Sequence, residues 1–244
     1  MEEIIERTVG GRKLYIYLPP SYHQTDHRYP AVYVHDGHYL FSHNLERLKE
    51  SYFRQEMKEV IFIGMEPIDR LHEYTPWPAE SLTSGFPAFK GEGNRYLQEW
   101  KNSIKAYMDS NYRTIPDMKE TGMLGASLGG LITLFALFTT GNKIGRYGLI
   151  SPSLWFPDIL KYMETQDCKI EGKKLYLYVG SEEGKGKTNI QNNMVQAVKN
   201  ANDIFKQKGF LQDSLHFEMR LLANHHREFF IEQFFEAVRW LYRQ

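Results

Sequence analysis

The chain has 244 residues, 42% of them apolar, with 30 Lys plus Arg against 30 Asp plus Glu. That length suits one large α/β domain, residues 1–244, better than two small ones, and the balanced charge gives no electrostatic footprint for nucleic acid or an acidic membrane surface. A lone cysteine, Cys168, excludes an intrachain disulfide and a cysteine-only metal cage, and no run of about 18 apolar residues predicts a membrane-spanning helix.

The opening, M-E-E-I-I-E-R, is acidic and has no secretory pattern, so the cytoplasm is the expected compartment. Residues 12–18, R-K-L-Y-I-Y-L, alternate and then meet Pro19 and Pro20, which predicts an early strand near a sheet edge. Ala31, Val32, Tyr33 and Val34 read as a strand buried on both faces, closed by His35, Asp36, Gly37 and His38. A charged helix is expected within 43–58 and a second apolar strand over 60–65. Residues 66–96 have no period and carry four prolines and three glycines. A loop this long is usually functional or disordered. Its aromatics, Tyr74, Trp77, Phe86, Phe89 and Tyr96, argue for an ordered insert near the active face.

Leu97, Trp100, Ile104 and Met108 mark one helix face. After residue 121 the chain runs T-G-M-L-G-A-S-L-G-G-L, then a helix apolar most of the way round. Further strands are expected at 147–150, 175–179 and 217–222, with helices starting from Ile190 and from the Phe230 region. Alternating strands and helices predict a mostly parallel sheet covered on both faces. Ligands then bind beyond the carboxyl ends of the strands. The stretch G-K-G-K-T at 184–188 lacks the first glycine of a P-loop and reads as a surface loop.

Gly125-Ala126-Ser127-Leu128-Gly129 is the G-x-S-x-G pattern in its strand–turn–helix setting, so Ser127 is the expected nucleophile. A serine hydroxyl needs a base, and the base needs a group that fixes its tautomer. In this fold the acid and then the histidine follow the serine in the chain. Glu182 and Glu183 end the 175–179 strand, and His225 and His226 follow the last strand; spacing alone leaves both pairs open. The oxyanion donors are expected at the Leu128 N–H and in the loop around Gly37 and His38. The spacing of His35, Asp36, His38 and His43 matches no common metal motif, so neither metal nor cofactor is expected.

With these residues the chain resembles the α/β-hydrolases, and more narrowly the esterase family that includes esterase D, feruloyl esterase and the enterobactin and bacillibactin trilactone esterases. The likeness spans nearly the whole chain. It rests on Y-P-A-V-Y-V-H-D-G (29–37), R-L-H-E-Y-T-P (70–76), G-M-L-G-A-S-L-G-G-L (122–131), I-S-P-S-L-W (150–155), L-Y-V-G-S-E-E-G (177–184) and A-N-H-H (223–226). The resemblance implies that Glu183, three residues past the strand-ending glycine, is the acid and that His225 after Asn224 is the base. It also implies pocket roles for Arg70 and Trp155, and the placement of 66–96 and 151–165 after strand ends predicts that Tyr74, Trp77 and Phe86 line the pocket with Trp155. Trp155 reads equally as a core residue, and Arg70 as an anchor of the insert through Glu73 or Glu80.

The expected activity is serine-dependent hydrolysis of a small-molecule carboxylic ester, aromatic or siderophore-type. An acyltransferase with the same triad, a peptidase, or a binding domain with a relic elbow are the alternatives. A homodimer is compatible with the sequence.

Overall fold

The computed structural model describes residues 4–244; the first three residues of the acidic opening lie outside the described residues. The elements are β1 (Ile5–Val9), β2 (Arg12–Tyr17), β3 (Ala31–His35), α1 (Tyr39–Ser42), α2 (Leu45–Phe53), β4 (Ile61–Met65) and α3 (Arg70–Glu73). They continue with α4 (Gly93–Glu99), a π-helical segment (Trp100–Ile104), α5 (Lys105–Asn111), β5 (Thr121–Ala126), α6 (Leu128–Thr139), β6 (Arg146–Ile150) and α7 (Ile159–Thr165). β7 (Lys174–Gly180), α8 (Met194–Gln207), β8 (Leu215–Arg220) and α9 (Arg227–Leu241) complete the chain.

Among the described residues, eight strands form one sheet in the order β1-β2-β4-β3-β5-β6-β7-β8. β1–β2 and β2–β4 pair antiparallel; every other pair is parallel. The central strands β3, β4 and β5 are buried along their whole length, as their unbroken apolar runs predict. The pleat sends alternate residues to opposite faces. Tyr33, Ile63, Met123 and Leu149 join one core with α4 to α8, whereas Val32, Val34, Leu124 and Ile150 join a second core with α1, α2 and α9. The structure is thus an α/β fold with helices on both faces of a mostly parallel sheet.

Two departures from the sequence reading are local. β1 was not foreseen: I-E-R-T-V is mostly exposed and has no apolar period, and it forms because β2 offers it an open edge. Residues 66–96 are less irregular than their punctuation suggests. They hold α3 and the start of α4, and the chain folds back on itself through paired Ala79 and Phe89. Among the described residues no helix is long and apolar enough to cross a membrane.

Candidate active site

β5 delivers Ser127 from the middle of the sheet. The serine sits at φ 59°, ψ −121° and caps α6. A non-glycine residue in such a conformation is strained by roughly 1–3 kcal/mol, and surrounding structure must hold it there. Here its N–H donates to the Ile150 carbonyl at 3.0 Å. The glycines around it answer to crowding. A Cβ on Gly125 would lie 2.5 Å from the Gly129 backbone, one on Gly129 would lie 3.1 Å from His35 Cβ, and one on the next residue, Gly130, would lie 2.9 Å from Pro152. The hydroxyl is thereby projected off the end of the strand.

The strand-end loops of β7 and β8 bring Glu183 and His225 to it. His225 Nε2 lies 3.0 Å from Ser127 Oγ, and its Nδ1 lies 2.9 Å from Glu183 Oε2. With Nδ1–H donated to the carboxylate, Nε2 is left to accept the serine proton. Glu183 is 2% exposed. Its Oε1 accepts the Gly180 N–H at 2.8 Å and the Ser151 hydroxyl at 2.5 Å. The two loops are stitched together, since the Glu182 N–H donates to the Ala223 carbonyl and the Leu222 N–H to Ser181 Oγ. The neighbours in each doublet go elsewhere. Glu182 pairs with Lys185, and the exposed His226 ring faces Glu228.

Leu128 opens α6, so its N–H belongs to the first turn, where backbone donors have no intrahelical acceptor. In the loop after β3, the Gly37 N–H is already given to the Met65 carbonyl at 3.0 Å. That loop is clamped. Arg70 Nε and Nη2 reach the two Asp36 carboxylate oxygens at 2.6 and 2.9 Å, and the Asp36 N–H donates to the Tyr74 hydroxyl at 3.0 Å. Burial opposes the Arg70 charge, and the hydrogen bond and attraction from Asp36 more than offset it, so its pKa lies above the ordinary value. Beneath the loop, His35 Nδ1 meets the Tyr96 hydroxyl at 2.8 Å. Burial, with the Arg70 and Arg12 charges, pushes the His35 pKa down to about 3, so this imidazole is neutral at working pH.

The residues expected to line a pocket have different surroundings. Arg70 pairs with Asp36, not with Glu73 or Glu80. Tyr74 is fully buried behind the Asp36 loop. Trp155, 9% exposed, packs with Phe89 and Phe156 in the core. Trp77 is half-buried, donates its indole N–H to the Pro157 carbonyl, and faces a cleft of about 430 Å³ with Leu82 and Ile190. A second cleft of about 290 Å³ is lined by Leu71, Leu82, Phe86, Pro87, Phe89 and Lys187. Its walls come from the insert after β4 and the loop after β7; in the sheet, β4 and β7 flank β3, β5 and β6. The sequence reading missed Asp36 as the partner of Arg70 and Ser151 as a donor to Glu183. The available signal was a second polar residue placed right after a buried strand.

The model of the family described as "Putative esterase" matches residues 5–241. The chain belongs to that esterase family. An uncharacterized protein, YbbA, from Bacillus subtilis is 38% identical over 237 residues, covering 97% of this chain and 95% of its own. Among solved structures, an IroE-like serine hydrolase from Shewanella oneidensis superposes with a TM-score of 0.80 at 22% identity, over 97% of this chain and 79% of that one. The BES protein from Bacillus cereus gives 0.74 at 21% identity, over 99% and 96%. The enterobactin esterase FES from Shigella flexneri, solved in the presence of enterobactin, gives 0.76 at 15% identity, over 99% and 59%. At these identities the structural likenesses establish the fold.

Proposed function

We propose that this esterase hydrolyses carboxylic esters through an acyl-enzyme on Ser127. The observation that carries the reading is the unbroken chain Ser127 Oγ, His225, Glu183, with both contacts at hydrogen-bond distance. As Oγ attacks the carbonyl carbon, its proton passes to His225 Nε2. Glu183 holds the imidazole and balances the charge that forms on it. The Leu128 and His38 N–H groups receive the developing oxyanion. Collapse of the tetrahedral intermediate expels the alcohol, which takes the proton from His225. Water then repeats the sequence on the acyl-enzyme and frees Ser127. The His225 side chain is 34% exposed, so water reaches the base readily. That openness favours hydrolysis over transfer to a second alcohol, which needs water kept out.

For the acyl group we propose an aromatic acid, with catecholate lactones of the siderophore type as one candidate class. The cleft of about 290 Å³, with Phe86 and Phe89 in its walls and Lys187 at its edge, suits a flat ring bearing acidic hydroxyls. Structural relatives include a ferulic acid esterase and the FES esterase solved in the presence of 2,3-dihydroxy-N-benzoyl-serine.

The test compares acetyl, octanoyl, feruloyl and catecholate-lactone esters by kcat/KM, with S127A alongside. We expect S127A to lose about 10³-fold or more in kcat and the aromatic acyl esters to lead the series. Unchanged turnover in S127A would end the acyl-enzyme reading. A clear lead for the octanoyl ester would end the aromatic one.

A further inference from the structure

The turn that follows β6, Ser151-Pro152-Ser153, touches both ends of the triad. Ser151 is fully buried and donates its hydroxyl to Glu183 Oε1 at 2.5 Å. Ser153, 1% exposed, places its hydroxyl 3.3 Å from Ser127 Oγ, and its N–H donates to the Ser127 carbonyl at 3.0 Å. Between them Pro152 fills the space against Gly130 that a side chain there would need. The turn is also tied to the sheet, because the Ser151 N–H donates to the Tyr178 carbonyl at 2.9 Å.

We infer that this turn is a bracket that positions the triad: Ser151 acts through Glu183, and Ser153 acts through the Ser127 hydroxyl. The inference rests on the acyl-enzyme reading above and adds two positioning residues to it. Three observations support it. Ser151 stands at φ 46°, a left-handed conformation that favours glycine, yet the position carries a side chain whose hydroxyl reaches the acid. With that bond, each carboxylate oxygen of Glu183 has a side-chain partner: Ser151 on Oε1 and His225 on Oε2. The orientation of the carboxylate therefore depends on the turn. At the other end, a serine that donates its proton to His225 still has lone pairs to offer, and the Ser153 hydroxyl can donate to them. This fixes the direction of Oγ before a substrate arrives and keeps a donor beside the oxygen once its proton has left.

A purely structural turn and a positioning bracket differ in how their effects combine. Removing a group that works through Glu183 should cost little once Glu183 can no longer do its work. The experiment measures kcat and KM on p-nitrophenyl acetate for wild type, S151A, S151G, E183Q and S151A/E183Q. It also measures the rate at which a fluorophosphonate labels Ser127 in S153A and S153T. Circular dichroism checks that each variant folds, and S151G suits the positive φ if S151A does not. We expect S151A and S151G to lose roughly tenfold in kcat with KM within about twofold, and S151A to cost less than about twofold in the E183Q background. S153A should label roughly tenfold more slowly, and S153T should recover most of that loss. An equal fold loss from S151A in both backgrounds, or unchanged labelling in S153A, would overturn the bracket while leaving the esterase reading intact. A wild type that neither turns over esters nor takes the label would overturn both.

Discussion

His225 and His226 are neighbours in the chain, and a single backbone step sends them to different surroundings. One imidazole bridges Ser127 and Glu183 against the edge of Phe230; the other points to solvent. We therefore expect H225A to lose about 10³-fold in kcat and H226A to stay within a few-fold of wild type, with E183Q similarly worse than E182Q. Steady-state kinetics decide it: a dead H226A beside an active H225A would reverse the assignment. The elbow was legible because its glycines sit where backbone and neighbours crowd closest, most severely at Gly125. The choice within each doublet was not legible from spacing, because it depends on which way two loops turn after their strands. His35 carries a second prediction at this scale. Its folded pKa, about 3, lies below its unfolded value, so the folded state refuses a proton that the unfolded state accepts. The stability tied to it is complete above the unfolded pKa and is lost as pH falls toward 3, at up to roughly 1.4 kcal/mol per pH unit. Urea midpoints between pH 7 and 4 should fall, and H35N should flatten that slope; equal slopes in both proteins would refute it.

Among the elements, the insert after β4 depends on β2 more than its own composition suggests. Arg12 is fully buried and reaches Glu73 on α3 and Glu99 on α4, with a further bond to the Glu66 carbonyl. Burial opposes its charge, and the hydrogen bonds it donates to Glu73 and Glu99 overcome that, so the guanidinium is held well above its usual pKa. Removing one partner of such a buried group leaves the other uncompensated. R12M should lose about 3–5 kcal/mol in chemical denaturation, and R12M/E73Q should lose less than R12M. A loss under 1 kcal/mol in R12M would show that water replaces the arginine. The apolar runs of β3 and β4 announced the central strands without ambiguity, because a segment with no polar face can only be covered on both sides. The Arg12 anchor was hidden for the opposite reason. A charge at the start of a strand reads as solvated, and only the return of α3 and α4 over β2 buries it.

At the scale of the whole molecule, the three residues of the proposed triad come from unequal parts of the sheet. Ser127 follows the central β5 and Glu183 follows β7, but His225 follows β8, which closes the sheet and is paired on one side only. Of the β8 residues only Leu215 is buried, and the loop beyond it exposes Leu221 and Leu222. Proteins open locally in cooperative units, and poorly buried edges open at the lowest free energy. The amides of β8 and of the loop carrying His225 should therefore exchange with deuterium well before those of β3 and β5. Activity should then fade at urea concentrations where the tryptophan fluorescence of the core is still native, and it should return on simple dilution. Coincident loss of activity and fluorescence would mean that the edge unfolds only with everything else. Otherwise the enzyme is switched off by the fraying of one strand, and its working life under stress is set by how often β8 lets go.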